Sequence, residues 1–442
     1  MASNKKNKKR RPATPKKKSP ESARDGRNVK QRGVIQRSRR GKYRNAWLWA
    51  GIVVALIVAG RISFEIPRLL GKPGEETAVA EAPREAPILD GPGLSLAELQ
   101  SQQLIINVHE HIQSLEYAPV YLDMMDELGI AKICLMGSSM FTLTLKEKYG
   151  FTRYDENNDE LLKIVEAYPG RFEAWTVVDP TDPNKFRKFK DCVARGATGL
   201  KLYTGHGYVS KKNAFMFHTR AMDDREMLPL YKFCEENFIP VCIHVNPFDN
   251  GGDKGKPGFA QELIAVLTQF PDMKVDVPHF MLSSIKSTRL REYLDTFPNV
   301  YTDISFGDYF VAAGLKRISK SPDKFRRLFA DYPDRIMYAT DLVLTVGRNK
   351  TRQWVREQFT AYLDMLSKET YTTPILPGKQ LRGLALPDAL LERVLHKNYE
   401  DFVAKRPKGT RITRGIEWSR MGVKPIKRKP GQAFPPRPKR GG

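Results

Sequence analysis

Residues 104–111 read LIINVHEH, an apolar run rich in β-branched residues that stops on two histidines one residue apart. The run is nearly continuous rather than alternating, as in a parallel strand covered on both faces. Side chains at i and i+2 of a strand point to the same side, so His109 and His111 face together while Glu110 points away. Two imidazoles on one side suit the capture of one cation. Taken alone, the pair fits equally well a strand end that happens to carry two polar residues.

The same texture recurs in seven further runs: AKICLMGS (131–138), FEAWTVVD (172–179), ATGLKLYT (197–204), IPVCIHVN (239–246), KVDVPHF (274–280), NVYTDIS (299–305) and RIMYATD (335–341). Between them lie helical patterns such as NDELLKIVEAY, PNKFRKFKDCVARG, LPLYKFCEEN, FAQELIAVLTQF and STRLREYLDTF, with TRQWVREQFTAYLDMLSKE after the eighth run. Pro169-Gly170, Gly196, Pro271 and Pro298 punctuate the passage from helix to strand. Eight strand–helix repeats, with strand starts 25 to 42 residues apart, predict an α/β fold, the (β/α)₈ TIM barrel, over residues 100–404. A doubly wound open sheet is the competing arrangement, but no glycine-rich phosphate loop follows the first strand.

In such a barrel the chemistry sits at the C-terminal strand ends. Those ends carry His109 and His111 on strand one, Lys201 on strand four, His244 on strand five, His279 on strand six and Asp341 on strand eight. Each has an ordinary reading of its own: His244 as a satisfied core residue, His279 after Pro278 as a turn former, Asp341 as a helix cap. Four of the chain's 7 histidines and an aspartate at one end of four strands point together to a divalent metal. A bound ion of this kind lowers the pKa of its water to about 7 and so supplies a nucleophile at neutral pH.

The order HxH, then Lys201 in GATGLKLYTGHG, then IPVCIHVN, PHF and YPDRIMYATDLV, closing with LPDALLERVLHKNYEDFV, resembles the amidohydrolase superfamily. More narrowly it is similar to the amidohydrolase-related branch that includes aminocarboxymuconate semialdehyde decarboxylase and pyrone dicarboxylate lactonase. The resemblance implies that His109, His111, His244 and Asp341 hold one divalent metal, zinc first, with manganese or iron as alternatives. His279 and Asp341 would then be the catalytic acid and base groups beside the activated water. Lys201 either carries a bridging carboxylate between two metals or binds an anionic group of the substrate, and one metal in this branch favours the second role. His206, on the glycine-flanked loop TGHGY, is the other candidate for substrate binding. Where the family often has Asp two residues before the first ligand histidine, this chain has Asn107, and YATD stands in place of the usual Gly-Thr-Asp. Asp303 and Asp308 either line the pocket or brace it, and His218 and His396 are expected to be structural or exposed.

The formal charge of +24 sits in the tails. Residues 1–45 hold 18 Lys/Arg against Glu21 and Asp25, and residues 405–442 hold 13 against Glu417, which leaves −4 for residues 46–404. The tails have no apolar periodicity, so they read as disordered and attracted to anionic surfaces, without specificity for nucleic acid. Residues 46–60, AWLWAGIVVALIVAG, are uncharged and apolar. With flanking Arg44 and Arg61, and Ile62 and Phe64 extending the apolar face, residues 46–64 predict a transmembrane signal anchor, cleavage after Gly60 remaining open. SRRGKY (38–43) only loosely resembles a twin-arginine export signal. The expected placement is a single-pass membrane protein with the catalytic domain outside the cytoplasm, periplasmic in a bacterium, after a linker over 65–99. Cys134, Cys192, Cys234 and Cys242 have no zinc-ribbon spacing and read as buried thiols. Segments 205–227, 246–258 and 306–333 read as specificity loops with no legible motif.

The sequence thus predicts a metal-dependent hydrolase of an ester, lactone or amide in a small, carboxylate-bearing molecule. Non-oxidative decarboxylation on the same site is the alternative. A non-catalytic barrel whose basic tails bind anionic surfaces is the second alternative, and it leaves the intact ligand set without a reason.

Overall fold

The computed structural model describes residues 91–138, 153–203, 220–245, 259–281, 287–345, 350–404 and 417. The tails apart from residue 417, the segment 46–64, most of the 65–99 linker, His206 and His218 lie outside the described residues. The expected membrane placement is corrected. Among the described residues no helix is long and apolar enough to cross a membrane. The run on which the expectation rested has 15 apolar residues, about 22 Å as a helix against a hydrocarbon core of about 30 Å.

The strands are β1 (Ile105–Ile112), β2 (Ile130–Met136), β3 (Phe172–Val177), β4 (Ala197–Tyr203), β5 (Val241–His244), β6 (Val275–Asp276), β7 (Val300–Asp303), β8 (Ile336–Met337) and β9 (Val343–Leu344). They form one parallel sheet in which each strand from β1 to β7 pairs with the next, and β9 returns to pair with β1. β8 and β9 are two pieces of one passage of chain. Between them Tyr338 O accepts from Val108 N, Asp341 N donates to His109 O, and His111 N donates to Leu342 O. The passage therefore bridges β7 and β1 and closes the ring, the parallel eight-fold arrangement of a (β/α)₈ barrel.

Helices at Ala118–Leu128, Tyr154–Ala167, Lys185–Ala194, Leu228–Glu236, Phe259–Gln269, Ser287–Thr296 and Arg352–Ser367 follow successive strands. The expected loop at 306–333 is in fact two helices, Gly307–Lys320 and Pro322–Asp331. Ser321 and Pro322 separate them: proline suits a first helical position and cannot continue the helix before it. A small antiparallel pair, Thr370–Thr372 with Gln380–Arg382, was not foreseen.

Strands alternate inward and outward, but β1 breaks the rule at a bulge. Its register with β2 shifts between Asn107 and Glu110. Ile106 and Val108 pack inside the ring with Cys134, Met136, Trp175, Cys242, Met337 and Ala339, while Ile105 and Ile112 pack outward against the helices. One extra residue in the strand lets Val108 and His109 both turn inward, which re-aims the two histidines at the mouth and sends Asn107 and Glu110 outward. Trp175 fills the interior only because Gly199 faces it, where a Cβ would come within 2.2 Å of its ring. The helix Asn398–Ala404 plugs the opposite end, with Phe402 stacked on Trp175 and tilted against Tyr301.

Candidate metal centre

His109 and His111 close the buried β1. Each has its Nδ1 engaged from behind: His109 with Asp303 Oδ2 at 2.8 Å, His111 with Met136 O at 2.8 Å. In each case the acceptor holds the proton on Nδ1, so Nε2 presents its lone pair to the mouth. Both Nε2 atoms approach the same oxygen, Asp341 Oδ1, at 3.6 and 3.2 Å. The other oxygen, Oδ2, faces His279 Nε2 at 3.9 Å.

Asp341 reaches this position because its backbone is left-handed, at φ 57°. A network behind it holds that conformation. Glu110, sent outward by the bulge and buried, accepts from Leu342 N at 2.9 Å, from Tyr121 OH at 2.9 Å, and from Thr340 Oγ1. Asn107 Nδ2 donates to the same carboxyl at 2.7 Å. The departure from the family pattern thereby acquires a physical reason: an aspartate at 107 would set a second carboxylate against Glu110, whereas the amide donates to it. Gly307, at φ 68°, leaves room on the other side, where a Cβ would lie 2.8 Å from Asp341 Oδ2.

His279 also sits on left-handed backbone, at φ 64°, immediately after Pro278. Its Nδ1 lies 2.7 Å from Ser305 Oγ, and its backbone N–H donates to Asp303 Oδ1 at 2.9 Å. Asp303 thus braces two histidines at once. Asp308 is a brace as well: it accepts from Val343 N and pairs with Lys350.

Electrostatics follow from this packing. Burial, then the charge of Lys201, pushes the His109 imidazole down to about 4, so it is a neutral ligand at ordinary pH. Burial alone would raise the Asp341 carboxyl, but His109, with His111 and His279, holds it well below the usual carboxylate range. Burial and the contact with His109 oppose each other in the same way at Asp303, which is also held low.

His109, His111 and Asp341 are a set of buried or partly buried donors whose ligand atoms lie within 4.8 Å of one another. Their Nε2 atoms and carboxylate oxygen would suit a divalent ion. His244 does not join that group among the described residues. It stands one step out, its Nδ1 3.2 Å from His279 Nε2 and its ring against Tyr203. Lys201 is fully buried beneath the histidines, with Nζ 3.0 Å from His109 Nε2, so a head in solvent is excluded. Reading the strand ends alone missed Tyr203 and Ser138, whose hydroxyls meet beside His111. The Ser-Ser pair after β2 carried no signal that marked it.

Comparison with known proteins decides the family. The amidohydrolase family matches residues 141–402, well over half of the chain. The chain belongs to the amidohydrolase family. The matched stretch includes Lys201, His244, His279 and Asp341, and the HxH of β1 precedes it. This amidohydrolase is therefore an enzyme of a family whose sites take a divalent metal, and its own donor groups suit one. Its four cysteines are free thiols, three of them buried. No curated protein matches it. Similar solved structures include a probable 2-pyrone-4,6-dicarboxylic acid hydrolase from Acinetobacter baumannii with citric acid bound, at 12% identity and TM-score 0.43, covering 68% of this chain and 99% of that one. Another is 2,6-dihydroxybenzoate decarboxylase from Rhizobium, at 15% identity and TM-score 0.41, covering 68% and 98%.

Proposed function

We propose that this amidohydrolase hydrolyses an ester, lactone or amide bond in a small carboxylate-bearing molecule, using one divalent ion, zinc before manganese or iron. The observation that carries the reading is the two-sided use of Asp341: Oδ1 meets the Nε2 atoms of His109 and His111, and Oδ2 faces His279.

In this reading His109, His111 and Asp341 Oδ1 hold the ion, with His244 supporting the site through its contact with His279. Bound there, a divalent ion supplies Lewis acidity, polarising an acyl oxygen and acidifying water. Asp341 stays ionised at neutral pH, so Oδ2 can accept the proton of the attacking water. His279, fixed by Ser305 at Nδ1, keeps Nε2 toward that carboxylate and exchanges the proton with the departing oxygen or nitrogen. Lys201 sets positive charge beneath the mouth, which favours an anionic substrate group. His206, which follows β4 in the sequence, would meet the same group.

The test uses the full chain. The purified protein is expected to hold about one zinc or manganese per chain, and chelation is expected to abolish turnover on a panel of carboxylate-bearing lactones, esters and amides, with metal restoring it. Full turnover in a stringently metal-free preparation would sink the reading. Release of CO₂ without addition of water would give the site to decarboxylation.

A further inference from the structure

Beneath the mouth, one layer of the barrel interior departs from the branched apolar filling usual in this architecture. Lys201 on β4 pairs in register with Cys242 on β5, and Cys242 pairs with Asp276 on β6. All three are at most 1% exposed. Lys201 Nζ lies 3.3 Å from Cys242 Sγ and 3.0 Å from His109 Nε2. His109, Cys242 and Asp276 offer ligand atoms within 4.8 Å of one another. Neither carboxylate oxygen of Asp276 has a hydrogen-bond partner of sound geometry. A buried carboxyl left in that condition is costly, and either a proton or a cation relieves it.

An imidazole nitrogen, a thiol sulfur and a carboxylate oxygen are the donors of a borderline-soft divalent ion. Here the imidazole and the thiol meet an ammonium, with the carboxylate standing farther off. We propose that this layer is a second cation site, which the chain fills with its own Lys201. His109 has one lone pair to give, because its Nδ1 is committed to Asp303. The mouth set and the interior set are thus alternatives for the same imidazole. While its ammonium stands there, Lys201 bars an ion from the thiol, and an ion at the mouth takes His109 only by displacing that ammonium from Nε2. The inference rests on the metal reading of the mouth and adds what decides between the two sets.

The consequence is a change of ligand when the ammonium is removed. In Lys201→Leu the stem packing is kept and the position of the ammonium opens, so a divalent ion can bind while the Cys242 thiol proton leaves to solvent. The probe is cobalt(II), added to the metal-stripped full chain and followed by absorption and bound-metal content. The native chain is expected to bind about one cobalt with no thiolate-to-cobalt charge-transfer band. Lys201→Leu is expected to gain that band in the near ultraviolet, and Lys201→Leu with Cys242→Ser to lose it. Lys201→Ala is run beside them in case the leucine variant does not fold. A folded lysine variant that binds cobalt without the band overturns the proposal, and so does a native chain that already shows it. A native chain that takes up no cobalt breaks the reading of the mouth instead, while a band in Lys201→Leu still upholds the interior site.

Discussion

The first four strands run for eight, seven, six and seven residues, whereas β5 to β9 run for four, two, four, two and two. Both halves deliver side chains to one mouth, but by different means. On β1 a regular strand with one bulge aims His109 and His111, and the backbone that aims them is also well paired. In the second half the strands stop short, and His279 and Asp341 are aimed by left-handed φ angles of 64° and 57°. Such angles cost a residue with a Cβ about 1 kcal/mol or more. Function and stability therefore coincide in the first half and oppose each other in the second.

Glycine substitutions break this comparison most sharply. His109→Gly removes a proposed ligand, leaves Asp303 buried without its main partner and puts a flexible residue in a strand. We expect a loss of turnover beyond about 10³-fold together with roughly 3 kcal/mol of stability. Asp341→Gly is expected to lose turnover by about 10²–10⁴-fold, yet to match or exceed native stability by about 1 kcal/mol, because glycine is at ease at that φ. Urea melts of both variants beside activity assays would settle it, and equal destabilisation in the two would erase the distinction.

The clamp behind Asp341 comes next in size. Burial pushes the Glu110 carboxyl well above its ordinary range, against the hydrogen bonds from Thr340, Tyr121 and Asn107. Glu110→Ala leaves the donors on Leu342, Asn107 and Thr340 without their acceptor and is expected to cost about 3 kcal/mol. Glu110→Gln removes the ionisable group but keeps an amide oxygen for these donors, and is expected to stay within about 1 kcal/mol of native. A glutamine variant as unstable as the alanine variant would mean that the carboxylate charge matters.

The same contrast explains what could be read in advance. Apolar runs and strand-end residues marked the eight-fold repeat and brought His109, His111, His279 and Asp341 to one place, because strand period and strand end are local properties. The bulge at Asn107–Glu110 was not legible: it depends on pairing with β2 and with the passage through Asp341, both distant in sequence. For the same reason Glu110 could be seen to point away from the mouth but not to be the clamp on Asp341. Asp303 stayed undecided between lining and bracing until its contacts with His109, His279 and Ser305 were in view. The helices within 306–333 were hidden by the Ser321-Pro322 break between them, which reads in sequence as a loop signal.

Gly307 gives a smaller effect on the second half alone. A methyl group at φ 68°, 2.8 Å from Asp341 Oδ2, must displace that carboxylate or the helix that begins at Gly307. Gly307→Ala is expected to reduce turnover about tenfold and to cost about 1 kcal/mol. An unchanged rate would show that Asp341 Oδ2 has slack.

The smallest expected effect lies at the far end of the barrel, where the short strands of the second half are held from below. Lys274, just before β6, donates from Nζ to Val403 O at 2.7 Å, which ties that strand to the plugging helix. Burial pushes its ammonium from the ordinary 10.5 to about 8. The folded chain therefore holds this proton less tightly than the unfolded chain does. Between pH 8 and 10.5 unfolding takes up a proton, so this group makes stability rise with pH across that window, while below pH 8 both states are protonated and its penalty is constant. In Lys274→Met that slope is absent. The native-minus-variant difference in unfolding free energy is expected to grow by about 1–2 kcal/mol from pH 8 to 10.5, after allowance for solvent screening. Urea melts of the two proteins at matched pH values measure it. A flat difference would mean that the ammonium is solvated in the folded chain, and that the helix beneath the short strands is held by its aromatic contacts rather than by this lysine.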